Sequence, residues 1–141
     1  MSTLGGVILL IGRICFVVLF VSAARGHIKN HPRYVQGSGK KLPIPILAGW
    51  PAGAFLLLAS ISILAGIWAD IGSLMIAAFL VPAAVLFHPF WSETDPTARR
   101  TQEAGFYRDV SLLGAALALF ALFAVSGHVP FALTGPALSL R

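Results

Sequence analysis

Apolar residues fill four stretches of the chain with few breaks: Leu4 to Ala24, Trp50 to Ala69, Ile71 to Trp91 and Phe106 to Val125. A hydrocarbon core about 30 Å thick takes about 20 helical residues to cross, so each stretch predicts a membrane-spanning helix. The expected fold class is all-α, a polytopic four-helix membrane bundle making one domain over residues 1–141. Its spans are 4–24, 50–69, 71–91 and 106–125, with polar loops at 25–49 and 92–105 and a mildly apolar tail at 126–141. Only a turn around Asp70, Ile71 and Gly72 separates the second and third spans. Helices joined that tightly must be antiparallel neighbours.

Local signals refine this picture. Pro43, Pro45 and Pro51 precede the second span, and proline is tolerated in a first helical turn but not inside a helix. That helix is therefore expected to begin near Gly49 or Trp50. Gly49 and Gly53 make a Gly-x-x-x-Gly spacing, and Gly114, Ala115, Ala118, Ala121 and Ala124 make a small-residue surface on the fourth span. Both let another backbone approach closely where lipid offers no hydrophobic driving force. Pro82 interrupts the third span and frees the carbonyl of Ala78, so a kink is expected there. Either neighbouring side chains absorb that defect or it shapes a polar cavity.

Composition agrees with a membrane solvent: 57% of residues are hydrophobic, 11% are charged and the mean hydropathy is +0.87. The formal charge of +5 reads as a topology signal rather than as a nucleic-acid footprint. Eight of the ten basic residues lie in the two long loops or at the entry to the fourth span. The positive-inside bias then puts both loops in the cytoplasm and both termini outside. Residues 1–24 read as a retained first span, because a secretory signal needs a basic start and none is present. Arg25, Lys29, Arg33, Lys40 and Lys41 in the first loop are candidate contacts for anionic lipid headgroups. Gly37-Ser38-Gly39 is a turn and lacks the pattern of a phosphate loop. Cys15 is the single cysteine, which excludes an internal disulfide.

Two places carry candidate chemistry. Arg13 lies inside the first span, where a guanidinium costs roughly 2.5 to 3.5 kcal/mol. It is expected either to anchor an anionic headgroup, a quinone oxygen or a partner's carboxylate, or to sit at the interface on an outwardly displaced helix. The second place is the exit of the third span and the entry of the fourth, with His88, Trp91, Glu93, Asp95, Arg108 and Asp109. His88 and Asp109 fall at similar depth on antiparallel neighbours, so His88, Asp109 and Arg108 are expected to cluster. Such a cluster pins helix register, and its imidazole can relay protons. No catalytic set and no metal set is predicted, since Pro32 and nearby basic residues argue against ligation by His27 and His31.

The stretch Phe87-His88-x-Phe90-Trp91-x-Glu93-x-Asp95-Pro96-x-Ala98-Arg99, followed by Glu103, Phe106, Arg108-Asp109 and Leu112-Leu113-Gly114-Ala115, resembles the DoxX family of small bacterial membrane proteins. Gly12-Arg13 with Phe20 and Ser22 is similar to the family's first span, and Gly66 to Gly72 to its short turn, so the resemblance covers about residues 10 to 125. It implies a four-helix fold in the bacterial cytoplasmic (inner) membrane. Some relatives are associated with redox systems, including thiosulfate-to-quinone electron transfer. The chain departs from the family pattern after the first span, where Arg25-Gly26-His27 replaces a Lys or Asn. Three functions follow as expectations. The first is a non-catalytic accessory subunit, without a cofactor, that stabilises a larger membrane complex such as a transporter or respiratory assembly, with other membrane subunits and lipids as partners. The second is a quinone-linked redox subunit with Arg13, His88 and Trp91 lining a quinone pocket. The third is a passage for lipid or small molecules along Pro82 and Arg13.

Overall fold

The computed structural model describes residues 1–140; Arg141 lies outside the described residues. Among these there is no strand. The chain runs through α1 (Thr3–Lys29), α2 (His31–Ser38), α3 (Trp50–Ala65), α4 (Ala69–Pro82) and α5 (Pro96–Ser126). A π-helical turn at Ala83–Phe87 prolongs α4, and short 3-10 turns at Pro45–Ala48 and Phe90–Ser92 precede α3 and α5. Three helical stretches, Thr3–Lys29, Ala69–Ser92 and Pro96–Ser126, are long and apolar enough to cross a membrane. The apolar α3 has 16 residues, about 24 Å at 1.5 Å per residue, and is shorter than a full span.

Several boundaries move from the sequence expectation for identifiable reasons. α1 does not stop at Ala24 but continues to Lys29, since nothing but Gly26 interrupts helical propensity there. Residues 25–49 are therefore not an open loop: they finish α1 and form α2, whose first turn accepts Pro32. α5 starts at Pro96 rather than near Phe106, because Asp95 Oδ2 accepts the Ala98 N–H at 2.7 Å as an N-cap and Pro96 fits a first turn. Most of 92–105 is thus helix. At Pro82 the α-helix gives way to the π-turn, the kind of irregularity a helix adopts where proline removes a ladder bond.

Helices adjacent in sequence pack together: α1 on α3, α3 on α4, and α4 on α5. The interior is built from small residues and a few larger ones, with Ala24, Ala59, Ala77 and Ala116 buried beside Leu56, Ile63, Ile76 and Phe20. Ser60 and Ser73 are buried with their hydroxyls donating to the carbonyls of Leu56 and Ala69, both at 2.7 Å. Large aliphatics such as Ile8, Ile11, Val18, Leu58, Ile61 and Leu117 face outward. Small inside and large outside inverts the pattern of a water-soluble core. It suits a bundle whose solvent is hydrocarbon and whose helices associate by close contact.

The expected close approach at Gly49 and Gly53 has a structural counterpart. A Cβ at Gly53 would lie 2.7 Å from the Ala24 carbonyl oxygen and 2.6 Å from Ile28 Cγ1, and one at Gly49 would collide with the His31 ring. Gly53→Leu is expected to push α3 off α1 and to cost about 2–3 kcal/mol, read as an earlier midpoint when SDS is titrated into mixed micelles. An unshifted midpoint would mean that the α1–α3 contact is looser than described. On α5 the outcome is mixed: Ala116 and Ala124 are buried, whereas Gly114, Ala115, Ala118 and Ala121 face away from the bundle.

The tail folds back over the end of the bundle where α3 meets α4. α3 ends at Gly66, whose left-handed φ of 66° suits glycine. The last carbonyls of a helix lack intrahelical partners, and a membrane requires them to be satisfied internally. Here Ser62 O receives the N–H groups of Gly66 and Ile67, Leu64 O receives Arg13, and Ala65 O and Gly66 O receive the N–H groups of Leu133 and Thr134. The Asp70 carboxylate, fully buried, accepts the Ala137 and Leu138 N–H groups at 3.0 and 2.7 Å. The tail is therefore part of the fold.

Candidate functional site

Two polar centres occupy opposite ends of the bundle. At the end covered by the tail Arg13 is 1% exposed, and its Nη2 donates to Leu64 O at 2.9 Å and Phe131 O at 2.7 Å. The guanidinium meets the carbonyl end of α3, where the helix dipole is negative. Capping a short helix inside the bundle gives the cation partners that snorkelling would otherwise find in water. Nε and Nη1 have no hydrogen-bond partner among the described residues. Two non-glycine residues with left-handed backbone, Trp68 (φ 47°) and Phe131 (φ 61°), flank this cap. Thr134 Oγ1 holds the first by accepting the Trp68 N–H at 2.9 Å, and Arg13 holds the second through its carbonyl.

At the opposite end α5 presents Asp109 and α4 delivers His88 just past the π-turn. The Asp109 side chain is 7% exposed, and its Oδ1 accepts from Arg108 Nε and Nη2 at 3.2 and 3.1 Å. His88 Nε2 lies 3.7 Å from Asp109 Oδ2, beyond hydrogen-bond reach, and 3.4 Å from Arg108 Nη2. On the other side of the ring Nδ1 is 2.9 Å from Gln102 Oε1. With that oxygen accepting, Nδ1 carries the proton and Nε2 is left to accept from Arg108. Gly105 makes room for the ring, since a Cβ there would lie 2.5 Å from His88 Nδ1.

These groups form the polar end of a cavity of about 670 Å³ between α1, α4 and α5. Its walls are apolar, with Leu19, Phe20 and Ala23 from α1, Phe79 and Leu80 from α4, Pro82 and Ala83 at the π-turn, and Leu112 from α5. His27 and Tyr34 contribute at the α1–α2 corner, where the two rings stack at 4.0 Å and His27 Nδ1 contacts Ala48 O at 2.6 Å. Leu9 of α1 packs against the cluster of Ala69, Phe123 and Val129, so the half beneath the tail is closed and the half that carries His88 holds the cavity.

Of the sequence candidates, His88, Arg108 and Asp109 come together. Trp91 is instead half exposed in an aromatic group with Phe90 and Phe106, Asp95 is the cap of α5, and the Glu93 side chain joins neither. Arg13 is at the far end, so Arg13, His88 and Trp91 do not line one pocket. The helix ladder separates them. His27 and His31 do not converge either, as His31 Nδ1 accepts the Trp50 N–H at 3.0 Å, and the described residues hold no group suited to a metal ion. Arg25, Lys29, Arg33, Lys40 and Lys41 are all exposed.

The sequence profile of DoxX matches residues 8–89, more than half of the chain. The chain belongs to the DoxX family. The matched stretch takes in most of α1, all of α2 to α4 and His88, and it stops before α5. No curated protein and no solved structure matches the chain. In this DoxX-family protein, sequence reasoning missed Gln102 and Gly105 against the His88 ring, Tyr34 at the cavity and the double contact of Asp70 at the tail. Gly105 offered a signal, a glycine inside a helix that has no turn to make; Gln102 and Tyr34 offered none.

Proposed function

We propose that this DoxX-family protein crosses the bacterial inner membrane four times, with both termini outside and the His88 end of the bundle at the cytoplasmic leaflet. In this reading it is a non-catalytic subunit that holds one membrane-dissolved amphiphile for a partner protein. The cavity carries the proposal: about 670 Å³ lies within the range of small-molecule sites, which are mostly apolar with a few placed polar groups. A π-turn at its wall is a common mark of a functional position. The α3 helix completes the fourth span when its outer turn is sealed by Arg13 and the tail, which offsets its short length. Eight basic residues at the inner end support this orientation.

The polar end offers both donors and acceptors. Arg108 can donate to a carbonyl oxygen, and Asp109 Oδ2 has acceptor capacity left, so a quinone or quinol headgroup or a hydroxylated lipid headgroup fits. Benzoylphenylalanine at Leu112, irradiated in native membranes, is expected to form an adduct with an amphiphile, and Ala23→Trp, which fills the cavity, is expected to remove it. Capture of neither lipid nor quinone would remove the basis of this reading. A second reading, a subunit that stabilises a membrane complex, is favoured by the outward-facing Gly114, Ala118 and Ala121 on α5, because small residues mark helix interfaces in membranes.

A further inference from the structure

We propose that the occupant of the cavity is an anionic phospholipid whose phosphate sits in a separate cationic hollow beside it; this rests on the reading of the cavity as an amphiphile site. A second depression of about 310 Å³ adjoins the cavity and is lined by Asn30, Arg33, Tyr34, Gly37 and Phe87. Tyr34 and Phe87 belong to both. They form the shared wall between the apolar chamber and a smaller hollow that holds the Arg33 guanidinium and the Asn30 amide, an arrangement that suits the chain and the headgroup of a lipid. Lys41 Nζ stands 5.0 Å above the Phe87 ring, which adds a second cation at this wall.

Charge decides the class of ligand. No acidic residue occurs before Asp70, and Asp109 takes its ion pair from Arg108. Arg108 is thereby neutralised, whereas Arg33 in the hollow and Lys41 at its wall stand without a carboxylate. A neutral headgroup gains nothing from that imbalance; a phosphate does. Asn30 and Tyr34 add hydrogen-bonding groups to the same hollow, and Arg can engage phosphate oxygens in a bidentate way. Basic groups near a membrane attract anionic lipid by about 1 kcal/mol each, which is about fivefold per cation in relative occupancy.

The test uses the full chain in phosphatidylcholine vesicles doped with either phosphatidylglycerol or phosphatidylcholine bearing the same photoreactive acyl chain. Labelling of the peptides that carry Phe79 and Leu112 is expected to favour the anionic lipid at least about fivefold. Arg33→Gln with Lys41→Gln is expected to bring the ratio near one, while Arg25→Gln with Lys40→Gln, which removes the same formal charge outside the hollow, leaves it unchanged. Equal loss in both pairs would mean general surface attraction and overturn the proposal. So would displacement of the label by inorganic phosphate, which would make the hollow a site for a soluble anion. Equal labelling by the two lipids in the wild-type protein overturns the charge selection but keeps the cavity as an amphiphile site; no labelling of these peptides by either lipid overturns both.

Discussion

Arg13→Ala is expected to release the tail from the α3–α4 end of the bundle and to destabilise the inserted bundle by about 3 kcal/mol. Two buried carbonyls, Leu64 O and Phe131 O, lose their donor, and each buried group left without a partner costs about 1–3 kcal/mol. Insertion shifts in the opposite direction, since removing the guanidinium eases membrane entry by roughly 2.5 to 3.5 kcal/mol. The effect must therefore be read after insertion. Amide hydrogen exchange does so: protection of the Leu133 and Thr134 N–H groups, which bond to Ala65 O and Gly66 O, should fall by about 100-fold. Arg13→Lys keeps the charge but lacks the planar fork that serves two carbonyls, and should fall between. Unchanged protection in Arg13→Ala would show that the tail does not depend on this residue.

Asp70→Ala is the second large effect, at about 2–3 kcal/mol. Its carboxylate takes the N–H groups of Ala137 and Leu138 from a fully buried position. Alanine leaves both donors unpaired unless the tail moves into water. Asp70 and Arg13 grip the same segment at different points, so once either is lost the tail detaches and the other has less to hold. Their effects are expected to fall short of additivity by about 1 kcal/mol or more in a double-mutant cycle. Full additivity would indicate two independent anchors and a tail that stays docked on one.

The four apolar runs are enough to make the helical class legible, and the family is legible too, with Gly12-Arg13, Gly66 to Gly72 and Phe87-His88 inside the matched stretch. Hydropathy reports which residues avoid water, however, and not where a helix ends. α5 reaches back through Arg99, Arg100 and Glu103 to its Asp95 cap, because those residues favour helix as well as water. α3 stops at Gly66 although Ile67, Trp68 and Ala69 are apolar, because Gly66 supplies the left-handed turn. At the candidate site, the antiparallel spacing of His88 and Asp109 is readable from the chain, while the environment of Arg13 is not. Its partners are backbone carbonyls, and these have no signature in a sequence. The tail contacts of Asp70 are hidden for the same reason. The cavity itself depends on how α1 diverges from α5, which no local pattern encodes.

The most direct test of the central claim, that this chain holds one amphiphile between α1, α4 and α5, is native mass spectrometry of the protein released from its own membrane in mild detergent. The expected spectrum shows the 14.9 kDa chain with a single retained adduct of lipid or quinone mass, absent in Ala23→Trp. A bare chain in the wild-type protein, or an adduct that persists after the cavity is filled, would contradict it.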